Sequence, residues 1–117
     1  MPLPEFKMLV DEAKKEIKEI DVDELKRMQH AGEKFVLIDV REPDEHARGM
    51  IPGAQPMPRG MLEVNVDQIT TDKNAKIVLY CGGGSRSALA AQSLKKMGFN
   101  NPISLAGGWR GWKDAGN

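Results

Sequence analysis

The chain has 117 residues, with 17 basic and 17 acidic side chains and a formal net charge of zero. A chain of this length closes one modest core, and balanced charge gives no electrostatic pull toward nucleic acid or an anionic membrane. No apolar run approaches the ~20 residues of a membrane span, and a single cysteine excludes an internal disulfide.

In chain order, Pro4 to Glu19 reads as one amphipathic helix, with Phe6, Leu9, Val10, Ala13 and Ile17 at three- and four-residue steps. This opening is too charged for a signal peptide, and a cytoplasmic protein is expected. Asp21, with Glu24 three residues on, forms a capping-box pattern. The second helix turns Leu25 and Met28 inward and ends near Gly32. A boundary near residue 19 divides an N-terminal extension (1–19) from the main domain (20–117).

Beyond that boundary, "KFVLIDV" and "AKIVLYC" are short apolar runs that suit strands buried on both faces of a parallel sheet. "NPISLAGG" is shorter but similar, and "GAQPMP" is a candidate fourth strand. "SRSALAAQSLKKMGF" reads as a helix with Ala90, Ala91, Leu94 and Met97 on one face, Lys95 and Lys96 in the last turn and Gly98 just past the end. The tail "GGWRGWKDAG" reads as a glycine turn and a short helix. Strands alternating with helices imply an α/β fold with a parallel sheet covered on both faces.

The chemistry concentrates in "YCGGGSRS", Tyr80 to Ser87. Cys81 stands where a strand ends and a helix is about to begin, the usual place for a ligand in an open parallel sheet. Gly82, Gly83 and Gly84 accept dihedrals that turn backbone N–H groups inward, and successive inward N–H groups form an anion-binding nest. The following helix adds the positive end of its dipole, and Arg86 adds a permanent charge. All three effects favour thiolate over a thiol that ordinarily titrates near ~8.5. The plain alternative is a buried small residue, with an ordinary tight turn behind it.

With these motifs in place, the chain resembles the rhodanese family of sulfurtransferases, from about Ile20 to Ala115. "LIDVREPDEHARGMIPGA" is similar to the family's early motif. "YCGGGSRSALAAQSLKKMGF" is similar to its active-site loop and helix, and "LAGGWRGW" to its closing segment. The resemblance implies a three-layer domain around a mainly parallel five-stranded sheet, with no cofactor or metal. It implies that Cys81 carries a sulfane sulfur as a persulfide. The donor would be thiosulfate or a species such as glutathione persulfide, and the acceptor cyanide, a thiol or a protein cysteine. The substrate-binding loop would be Gly82, Gly83, Gly84, Ser85, Arg86 and Ser87.

Two other readings belong to different classes. One is a binding or regulatory module on the same scaffold, although such modules typically lack the cysteine. The other is a phosphatase or arsenate reductase. Those enzymes usually place five residues between cysteine and arginine, whereas four stand between Cys81 and Arg86. Two features depart from the family pattern. Met50 stands where the early motif has a histidine. Gly82 and Gly83 stand where some members carry basic residues, which leaves Arg86 as the only cation of the loop and favours a persulfide or protein donor over the thiosulfate dianion.

Asp39 and Arg41 lie on the same sheet edge as Cys81 and either frame the pocket, with the aspartate holding the loop, or form a salt bridge. Arg59 is a rim residue or an exposed cation. Trp109 and Trp112 read as core or rim packing, and His46 as a solvated helix residue. The stripe from Phe6 to Ile17 docks on the domain or on another protein.

Overall fold

The structure, a computed structural model, describes residues 2–117. The short runs of Val, Ile and Leu form strands, and their neighbours in space complete a five-stranded sheet. The strands are Lys18–Ile20 (β1), Val36–Asp39 (β2), Gln55–Pro56 (β3), Ile77–Tyr80 (β4) and Pro102–Leu105 (β5). Their spatial order is β1-β5-β4-β2-β3, and every pairing is parallel. The helices are Pro4–Glu16 (α1), Val22–His30 (α2), Pro43–Ala47 (α3), Leu62–Asn65 (α4), Ser85–Lys96 (α5) and Gly108–Asp114 (α6). None is long and apolar enough to cross a membrane among the described residues.

Alternation along β4 shows how the layers arise. Val78 and Tyr80 face one side, where Leu25 and Met28 of α2 and Trp112 of α6 cover them. Ile77 and Leu79 face the other, under Leu62 of α4 and Ala90, Ala91 and Leu94 of α5. Small alanines let α5 lie close to the sheet. Cys81 continues the second series, so its side chain points under α5 rather than into solvent. The expected α/β three-layer architecture is the observed one.

At the N-terminus the structure departs from the single helix expected over Pro4 to Glu19. The first helix stops at Glu16, Ile17 is extended, and Lys18–Ile20 pairs with Ile103–Leu105. "IKEI" fits a helical stripe as well as a strand, and only the partner across the sheet decides between them. The buried stripe is also narrower than expected: Val10 and Ala13 pack on Ala88 of α5, but Leu9 is 61% exposed. Met97 is exposed as well, because it is the C-cap of α5 rather than part of its buried face. The capping pattern at α2 is present, with Asp21 Oδ1 accepting the Glu24 N–H at 2.8 Å. "GAQPMP" contributes only the two residues of β3, at a sheet edge.

Candidate active site

Tyr80 ends β4, and Ser85 begins α5. Residues 81–84 must reverse the chain between them. Of the three consecutive glycines only Gly84 uses a left-handed conformation, at φ +109°; Gly82 and Gly83 adopt conformations open to other residues. The turn brings the Gly84 N–H to 3.1 Å from Cys81 Sγ. The Ser87 N–H, in the first turn of α5, lies at 3.4 Å. Ser87 Oγ is 3.6 Å from the sulfur and 2.8 Å from Ser104 Oγ of β5.

These contacts decide the state of the thiol. Burial pushes its pKa up. The Ser87 hydroxyl and the N–H groups of Ser87, Gly84 and Gly83 push it down, and their combined effect wins, so Cys81 lies below the usual cysteine value. The N–H groups of Gly82, Ser85 and Arg86 make no hydrogen bond to the sulfur among the described residues. Ser104, unread in the sequence, completes a chain of hydroxyls. If it donates to Ser87, the Ser87 proton is free to point at the thiolate.

Ser87→Ala removes that donor. Its thiol is expected to titrate nearer the ordinary ~8.5, with about threefold to tenfold less thiolate at pH 7 than in the native chain. The difference in thiolate ultraviolet absorbance between each protein and its Cys81→Ser counterpart, followed against pH, measures this. An unchanged midpoint would remove Ser87 from the site.

The loop is also held by α6. Two loop carbonyls accept N–H groups at the start of this helix, from Trp109 to Cys81 O at 2.8 Å and from Arg110 to Gly82 O at 3.0 Å. Early helical N–H groups have no acceptor within their own helix, so each side satisfies the other.

Arg86 contributes less free charge than its position implies, because its guanidinium pairs with Glu45 of α3 at 3.2 Å. Glu45 lies 41 residues away in sequence, and no local pattern announces it. Asp39 and Arg41 are buried together. Arg41 Nη2 lies 2.7 Å from Asp39 Oδ2, Arg41 also donates to Gly49 O at 2.6 Å, and its guanidinium stacks 4.5 Å from the Trp109 ring centroid. Neither side chain hydrogen-bonds to residues 82–87 among the described residues. Arg41 reaches the surroundings of the loop through Trp109 and through Tyr80, the residue before Cys81.

His46 is not the solvated residue expected of a short surface helix. Its side chain is 12% exposed, with Nε2 3.4 Å from Asp39 Oδ1. Arg59 pairs with Glu63 at 2.7 Å. Trp112 is core, and Trp109 is partly buried beside it.

The sequence profile of the Rhodanese-like domain matches residues 21–115. This chain belongs to the rhodanese-like family. A protein named sulfurtransferase from Allochromatium vinosum is 33% identical over 96 residues, covering 82% of this rhodanese-like chain and 88% of the relative. Two further relatives, both from Bacillus subtilis, are longer, and the chain spans 51% of one and 61% of the other. Among solved structures, a Rhodopseudomonas palustris protein described as of unknown function and a possible tyrosine phosphatase superposes with a TM-score of 0.90. It shares 35% identity, over 100% of this chain and 97% of that one. The human single-domain sulfurtransferase TSTD1 superposes at 0.76 with 25% identity, covering 85% of this chain and 97% of its own. In this rhodanese-like fold the thiol and its N–H donors occupy the carboxyl edge of the sheet, as the loop motif implied.

Proposed function

We propose that this rhodanese-like protein is a sulfurtransferase that carries sulfane sulfur on Cys81. The observation that supports it most is the cradle of N–H groups from Gly84 and Ser87 on Cys81 Sγ, which favours a thiolate nucleophile. In the first half-reaction the Cys81 thiolate attacks the outer sulfur of the donor. A sulfur–sulfur bond to Cys81 forms while the donor's own breaks, and sulfite leaves thiosulfate, or a thiolate leaves a persulfide, with the electron pair. The terminal sulfur then holds the negative charge. Ser85 and Arg86, in the first turn of α5, offer it N–H groups that have no intrahelical acceptor. In the second half-reaction cyanide, a thiol or a protein cysteine attacks that sulfur and the Cys81 thiolate departs. This is covalent catalysis in two steps. Asp39 and Arg41 act at a distance, by seating Trp109 and with it the start of α6. A cytoplasmic setting, where a lone thiol stays reduced, completes the reading.

Phosphatase chemistry is the competing activity, since one similar structure is described as a possible tyrosine phosphatase. Two observations disfavour it. Four residues rather than five separate Cys81 from Arg86, and the Arg86 guanidinium is engaged by Glu45.

Intact mass measured after incubation with thiosulfate or glutathione persulfide tests the proposal. A gain of one sulfur, about 32 Da, should appear in the native chain, be lost on cyanide addition and be absent in Cys81→Ser. No gain with either donor would overturn it and favour the binding-module reading. Hydrolysis of an aryl phosphate without sulfur loading would favour the phosphatase.

A further inference from the structure

Gly82 and Gly83 raise a question that the turn does not answer. Neither uses a left-handed φ, so the backbone alone permits side chains at both positions. At Gly83 that space is filled by Arg110. A Cβ built on Gly82 would make only ordinary contacts, 3.4 Å from Arg86 Nη2 and 3.5 Å from Arg110 Nη1. One built on Gly83 would fall on Arg110 Nη2 and lie 3.1 Å from the Cζ of the same guanidinium. The Arg110 backbone is tied to the loop as well, through its N–H to Gly82 O at 3.0 Å. The residue thus lies folded over the loop, in the place where a side chain at 83 would project.

Charge separates Arg110 from the other cation here. Arg86 is paired with Glu45. Arg110 has no carboxylate partner among the described residues, and it is exposed at the mouth of the loop. It therefore supplies the unneutralised positive charge beside the Cys81 bowl. A planar guanidinium presents two parallel N–H groups, the geometry that suits an oxyanion.

We propose that Arg110 is the donor-binding residue of this site. Its guanidinium holds the sulfonate end of thiosulfate, so that the outer sulfur points at Cys81. This assignment rests on the sulfurtransferase reading for the purpose of binding, not for binding itself. It also changes the expected donor. The loop lacks cations of its own, but α6 supplies one, and a dianionic donor fits the site.

Binding is measured without turnover in full-length Cys81→Ser protein titrated with thiosulfate, following the amide resonances of Gly82 to Ser87. Adding Arg110→Gln should raise the half-saturating concentration ~tenfold or more. Adding Gly83→Ala should raise it comparably, because the charge is kept but its seat is taken. Adding Lys113→Gln, which removes another cation of α6, should change it by less than about twofold. Equal half-saturation with and without Arg110 overturns the proposal, and so does an Arg110-intact protein whose loop resonances do not move. A Gly83→Ala result equal to the parent, with Arg110→Gln weakened, overturns the seating of the guanidinium over Gly83. Sulfur loading of a protein that keeps Cys81, read by mass at saturating donor, is a separate measurement. Its failure would sink the transfer reaction while leaving the anion site intact.

Discussion

Gly108→Ala is expected to lower folding stability by about 2–4 kcal/mol and to return the Cys81 thiol toward its ordinary titration. Two causes add. Gly108 has φ +54°, a left-handed conformation that costs a non-glycine residue about 1 kcal/mol or more. Its Cβ would also stand 2.9 Å from both the carbonyl carbon and oxygen of Gly82, and closer still to the Cys81 oxygen. Those are backbone atoms, so no rotamer change relieves the overlap. The loop and α6 must part, and the hydrogen bonds of Trp109 and Arg110 to the loop carbonyls are the ones that stretch. Gly116→Ala is the control. Its φ is +93° but nothing lies within 4 Å of the added carbon, so it carries conformational strain alone. Urea unfolding compares the two, and thiolate absorbance against pH reads the site. Equal losses would show that the close approach at Gly108 is unimportant.

Asp39→Ala is expected to cost about 3–5 kcal/mol, the usual penalty for leaving one member of a buried ion pair without the other. Asp39 is fully buried and Arg41 is 3% exposed. The carboxylate accepts the Arg41 backbone N–H at 2.9 Å and its Nε at 3.0 Å, besides the contact with Nη2. Removing it strands a guanidinium between Trp109 and Tyr80. Replacing both residues, Asp39→Ala with Arg41→Met, should be milder than the sum of the single changes, because the double variant buries no unpaired charge. Urea denaturation of the three variants decides. Additive losses would mean that the two side chains act independently.

The legible part of this chain is the part written in local pattern. The apolar runs of β2 and β4 lie in the middle of the sheet, buried on both faces, and α5 has a conventional amphipathic face and glycine stop. Cys81 and its N–H donors belong to one continuous segment, so strand, turn and helix can be read together. What local pattern does not carry lies across the fold. Lys18–Ile20 has helical spacing and becomes a strand only beside β5. Ser104 meets Ser87 because β5 neighbours β4. Glu45 reaches Arg86 because the connections after β2 and β4 leave the same edge of the sheet. His46 defeats a local reading because a short polar helix gives no sign that one of its faces lies on a buried carboxylate. The three loop glycines look like one device in the sequence, whereas Gly84 supplies the turn and Gly83 leaves room for Arg110.

The three residues of β1 also bear on how copies of this molecule meet. β5 is a wholly buried strand, and without β1 it would be the last strand of the sheet. Its backbone N–H and C=O groups would then offer a second chain a template for pairing. β1 occupies that position with a strand too short and too charged to pass the invitation on, since Lys18 and Glu19 are exposed and only Ile20 is buried. It also precedes the segment that matches the family profile. Trimming the chain to that segment would uncover β5 and convert a finished sheet into one that can grow by association.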